Sequence, residues 1–100
     1  MTGTVAFVRD LMDRSHISAA IPEVTFVTDP SGVADAAVVI VDLARFGSLV
    51  AAVRASAPQA RIVAFGPHVD DETLAAGVAD GADRVLPRSV FFRDPAAAIA

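Results

Sequence analysis

The chain has 100 residues, 54% of them hydrophobic, and a formal net charge of −4, which predicts one domain with enough chain for a real core and no room for a second domain. Its eight cationic residues are all arginines, scattered without a basic stripe, which argues against a nucleic-acid surface, and no apolar run approaches the roughly 20 residues of a membrane span. The absence of cysteine excludes disulfides, thiolate catalysis and the common zinc sites, and with no signal-peptide pattern at the N-terminus the expectation is a cytoplasmic protein.

Thr4 to Val8 (TVAFV) reads as a first strand that ends on two charges, Arg9 and Asp10. From Leu11 to Ala20, Leu11, Ser15 and Ala19 recur at helical spacing with Met12 and Ala20 beside them, while Asp13, Arg14 and His16 fall elsewhere. That pattern predicts a short amphipathic helix with the first set inward. Pro22 closes it. Val24 to Val27 (VTFV) is a second strand, and Asp29-Pro30-Ser31-Gly32 is a turn. Only Val33 to Ala36 then remain before the next strand, so the second helix is shortened or missing, because a parallel crossover normally takes a dozen or more residues.

Ala37 to Asp42 (AVVIVD) is apolar without a break and then stops on a carboxylate. Such a run suits a strand covered on both faces, in the middle of a parallel sheet. Leu43 to Gly47 is expected to be a loop, with Ser48 capping a helix that turns Leu49, Val50, Val53 and Ala57 inward until Pro58. Arg61 to Phe65 (RIVAF) is a fourth strand, followed by the loop Gly66-Pro67-His68. Asp70 caps a helix with Asp71 and Glu72 in its first turn and Leu74, Ala75 and Val78 on its inner face, and Gly81 terminates it. Asp83 to Leu86 is a fifth strand stopped by Pro87. Phe91 and Phe92 follow in a short turn, and Asp94-Pro95 opens a last helix of about a turn and a half.

The alternation predicts an α/β fold: one doubly wound sheet of five parallel strands, order 2-1-3-4-5, which brings the first and third strands together. Asp10 and Asp42 would then meet across one crevice beyond the carboxyl ends of the strands, where open α/β sheets place their working groups.

Over nearly its whole length the chain resembles the CheY-like receiver domain of bacterial response regulators. The residues that carry the resemblance are VRD after the first strand, VVIVDL at the third, and GADRVLPRS at the fifth. The resemblance implies a flavodoxin-like fold in which Asp42 matches the phosphoacceptor and Asp10 one member of the acidic pair that holds Mg²⁺. Arg9 stands where the other acid belongs, Gly66 falls at the hydroxyl position that follows the phosphate, and Arg88 falls at the lysine position, with Ser89 in place of the usual proline. The departures fall on the catalytic positions, which implies a degenerate, phosphorylation-independent signalling or protein-interaction module, bacterial and not an enzyme.

Other readings of the same residues stand beside that one. Asp42 also reads as a strand-end residue that caps the following loop, and Arg9 as its structural ion-pair partner or that of Asp10. A crevice of Arg9, Asp10, Asp42, Gly66, His68 and Arg88 could bind a small ligand, or Mg²⁺ through Asp10 and Asp42, although the primary expectation is neither metal nor cofactor. No dinucleotide fingerprint, P-loop or nucleophile elbow is present. Phe91 and Phe92 are adjacent and cannot both face inward, so one is core and the other a candidate contact to a protein partner or a second copy.

Overall fold

β-Branched and aromatic runs, each stopped by a charge, a glycine or a proline, become the strands of one parallel sheet in the computed structural model, which describes residues 3–67 and 70–100. The strands are β1 (Thr4–Phe7), β2 (Thr25–Phe26), β3 (Val38–Asp42), β4 (Arg61–Gly66) and β5 (Arg84–Pro87), in the spatial order β2-β1-β3-β4-β5. Register is continuous across the centre, with Val5 beside Val39 and Val39 beside Ile62. The expected architecture and strand order are therefore observed.

The pleat sends alternate residues into two cores. Phe7, Val39, Val41, Ile62 and Ala64 face one side, with Val33, Phe46, Val50 and Val53 packed on them. Ala6, Val8, Ile40, Val63 and Phe65 face the other, beneath Ile17, Phe91 and Ala98. Val39, Ile40 and Val41 are wholly buried; Val38 at the strand entry is only partly so.

Helix α1 (Leu11–Ala20) has the expected bounds, capped by Asp10, whose side chain accepts from the Asp13 N–H. Its face is not the expected one. Ile17 is the buried residue, with Asp13, Arg14 and Ala20 partly covered, while Leu11, Met12, Ser15 and Ala19 point to solvent. Polar anchors explain the rotation: Arg14 Nε donates to the Val8 carbonyl at 2.6 Å and Asp13 is bound by Arg88. The short link after β2 contains only a 3₁₀ turn, Pro30–Val33, capped by Asp29, in agreement with a missing second helix.

The expected loop after β3 is instead a helical turn, α2 (Leu43–Phe46), which the Asp42 side chain caps by accepting from the Ala44 N–H. A 3₁₀ turn, Gly47–Leu49, joins it to α3 (Val50–Ser56), and Ser48 caps nothing, because the chain is already helical when it arrives. Helix α4 (Asp71–Ala79) is capped by Asp70 as expected, but Thr73, Leu74 and Gly77 face inward whereas Ala75 and Val78 are exposed. The reason is close approach: a Cβ on Gly77 would meet Leu43 at 3.0 Å and Val85 at 3.3 Å, so the helix lies down on its glycine. Gly81 follows at φ +115, the left-handed region that glycine occupies without strain.

The chain closes with α5 (Arg88–Phe91) and α6 (Pro95–Ala98), both single turns. Phe91 is wholly buried against Phe65, ring centroids 4.8 Å apart, and Phe92 is partly open. At the opposite end of the sheet Arg54 gathers the connections: its guanidinium donates to the carbonyls of Ala57, Pro58, Ala60 and Gly81 and pairs with Asp83 at 2.6 Å. No helix among the described residues is long and apolar enough to cross a membrane.

Candidate functional site

Parallel strands all discharge at one end, so the residues that follow β1, β3, β4 and β5 gather there. Asp42 is the last residue of β3, 4% exposed in a chain whose other carboxylates are more open. One of its oxygens accepts from the Ala44 N–H at 3.1 Å. Burial pushes its pKa up, against the lowering effects of that hydrogen bond and of Arg88 and Arg45; Asp13 adds to the rise.

Above it lies a cation the sequence pointed to, held by an acid it did not. Arg88 makes a bidentate pair with Asp13, Nη1 to Oδ2 at 3.0 Å and Nη2 to Oδ1 at 2.8 Å, the planar fork geometry that distinguishes arginine from lysine. Its guanidinium carbon also stands 5.0 Å from the Phe92 ring centroid and 5.4 Å from that of Phe65. The hydrogen bond to Asp13 is the main cause that raises the Arg88 pKa, and the charges of Asp42 and Asp10 act in the same direction. The helical pattern sets Asp13 apart from the inward residues of α1, and a partner 75 residues away in sequence leaves no local signal.

The remaining crevice residues divide. Arg9 is exposed and, among the described residues, forms no ion pair, so the expected pairing with Asp10 or Asp42 gives way to Arg88 and Asp13. Asp10 is spent on its helix N-terminus. His68 lies outside the described residues. Gly66 is buried at the end of β4, and a Cβ there would come within 3.1 Å of Leu74 Cδ2 and 3.6 Å of Leu43. A side chain at this position would touch Leu43 and need Leu74 to shift slightly.

A divalent ion would have Asp10 and Asp42 as carboxylate donors, each already using an oxygen as a helix cap. No three acidic or histidine side chains converge among the described residues, and Mg²⁺ needs near-octahedral oxygen coordination. The residues present do not fit that ion.

The buried charge has a measurable consequence. A group whose folded pKa is raised binds its proton more tightly in the folded state, so its contribution to stability is lost as pH rises through that folded pKa. Asp42→Asn keeps an oxygen for the Ala44 N–H and removes the charge. We expect it to melt a few degrees above the parent at pH 7, the advantage fading as pH falls into the range where Asp42 is protonated; a lower melting point at pH 7 would contradict this. Asp42→Ala, which loses the cap, should cost about 1 kcal/mol relative to Asn.

No protein-family model matches the chain, and no curated protein sequence is found to be similar to it. Solved structures are. The chain is similar to a response regulator protein from Burkholderia pseudomallei, determined with a phosphorylated aspartic acid, calcium ion and citrate, at a TM-score of 0.82 and 18% identity over 100% of this chain and 67% of that one. It is similar to a CheY-like protein, TadZ, from Pseudomonas aeruginosa PAO1 at a TM-score of 0.72 and 17% identity over 89% and 88% of the two chains. A third likeness is to a putative pilus assembly-related protein from B. pseudomallei K96243, with a TM-score of 0.72 and 14% identity over 98% and 85%. The chain has the receiver fold of response regulators.

Proposed function

We propose that this receiver fold serves as a signalling module that acts by binding protein, is not an enzyme, and does not cycle through phosphorylation of Asp42. The observation that carries the reading is Gly66: the residue that would follow a phosphoryl group has no side chain, and even a Cβ there would press on Leu74 Cδ2 at 3.1 Å. Two further features support it. Arg88, which opens α5 directly after β5 and whose charge acts on Asp42, is tied in two hydrogen bonds to Asp13. Arg9, a permanent cation, follows β1 where the resemblance puts an anionic metal ligand, so this position offers no carboxylate to a divalent ion.

The test is incubation with acetyl phosphate, or with beryllofluoride, in the presence of Mg²⁺. The expected result is an unchanged mass and an unchanged amide NMR spectrum around Asp42, Gly66 and Arg88. Stoichiometric modification of Asp42 with shifts spreading to those loops would instead establish a working phosphoacceptor and overturn the proposal.

A further inference from the structure

Among the described residues, the two most exposed large hydrophobic side chains are both on α1. Leu11 is 78% exposed and Met12 82%, and at 100° per residue they share an arc of about 120° with Ser15, Ser18 and Ala19, all of them exposed. This arc contains the periodicity that a reading of the sequence assigns to the core. The structure instead buries the opposite side through Ile17 and the Asp13–Arg88 and Arg14–Val8 contacts. The chain thus carries an amphipathic face that its own fold leaves uncovered.

We infer that this face is a two-fold interface, in which α1 packs antiparallel against α1 of a second copy. Size and charge both select that occupant. The bulky residues, Leu11 and Met12, sit at the N-terminal end, and the small ones, Ser18 and Ala19, at the other. An antiparallel pair centred on Ser15 therefore sets each bulky residue against a small one, Leu11 facing Ala19 and Met12 facing Ser18, and lets the two axes approach closely. Arg9 stands exposed at the N-terminal end without an ion-pair partner among the described residues, and Glu23 stands exposed just beyond the C-terminal end. The same two-fold sets Arg9 level with the other copy's Ile21, so that its long side chain reaches toward Glu23 two residues further on. Antiparallel macrodipoles add to this, since the last turn of α1 contains no basic residue to offset its own. Asp10 caps the helix through the Asp13 N–H and stays anionic, so the attraction of Arg9 has to exceed its repulsion of the partner copy's Glu23. One ten-residue helix buries less than the roughly 1,200 Å² of a standard interface, which makes this a weak, concentration-dependent dimer.

Sedimentation of the full chain over a concentration series is the test, read together with the melting temperature. The expected result is a reversible dimer that Leu11→Asp with Met12→Asp abolishes without lowering the melting point, since both side chains are already in water. Arg9→Glu and Glu23→Arg should each weaken it about tenfold, because symmetry repeats the altered contact twice, and the two together should restore it. The chain has no cysteine, so Ser15→Cys gives a clean probe: oxidation should produce a covalent dimer, whereas Ser56→Cys at the end of α3 should not. A strict monomer at high concentration, meaning that another protein covers α1, would overturn the inference. So would a dimer indifferent to Leu11 and Met12, or a charge exchange that fails to restore association.

Discussion

Val39→Asp is expected to leave the chain unfolded at ordinary temperatures. Val39 is wholly buried at the centre of β3, with Val5 on one side and Ile62 on the other, and its side chain enters the core of Phe7, Val50 and Val53. Among the described residues, the two cationic side chains that pair with carboxylates, Arg54 and Arg88, belong to the two ends of the sheet, so a carboxylate here would be desolvated without compensation. Breaking a buried charge pair costs about 3–5 kcal/mol, and an uncompensated charge in an apolar core costs at least as much, against a total stability of roughly 5–15 kcal/mol. Val39→Ala should cost only about 1–3 kcal/mol and remain folded. Circular dichroism and urea unfolding distinguish these outcomes; a soluble Val39→Asp protein with a native spectrum and an unchanged melting point would refute the placement of β3.

The second large effect is expected at the other end of the sheet. Arg54→Ala removes the one side chain that satisfies the carbonyls of Ala60 and Gly81 and neutralises Asp83. Ala60 is buried, and leaving several such acceptors without donors should cost about 2–3 kcal/mol, or about 10–20 °C in melting temperature for a chain of this size. Arg54→Lys should recover little, because an ammonium cannot span a fork of acceptors. The same cluster is acid-sensitive. The Ile62 N–H, and then Arg54, hold the Asp83 carboxyl below its ordinary value. Its contribution is therefore present above about pH 4, where the unfolded chain ionises, and is lost as pH falls through the lower folded pKa. Thermal melts of Arg54→Ala at neutral pH and of the parent below pH 4 check both claims; an unchanged midpoint in the variant would mean that water replaces the guanidinium without loss.

The strands and the starts of α1, α4 and α6 were legible because their determinants are local. AVVIVD and RIVAF announce buried strands by β-branched and aromatic content, and Asp10, Asp70 and Asp94 announce helices through caps three residues from their targets. What failed was orientation. Helix α1 is turned by Arg14 and Asp13, whose partners are Val8, just past β1, and Arg88 in α5, and α4 is turned by Gly77, which a hydrophobicity pattern scores as nothing. The same limit applies to the candidate site. Asp42, Gly66 and Arg88 stand at strand ends and could be found by position, whereas Asp13 becomes a site residue only once α5 is laid beside α1. Asp42 hid a helix for a related reason: read as the end of a strand, it is equally the start of α2.

The two-residue β2 has a consequence for how the protein avoids aggregating. An open sheet has two lateral edges, and a long flat edge recruits strands from other chains. Here one edge is only Thr25–Phe26, too short to template a ladder, and the other ends in Pro87, which has no N–H, after an exposed Arg84. Both borders are blunted, so self-association by adding strand to strand, the route to fibrils, is disfavoured by construction, and contacts between copies are left to the helical faces.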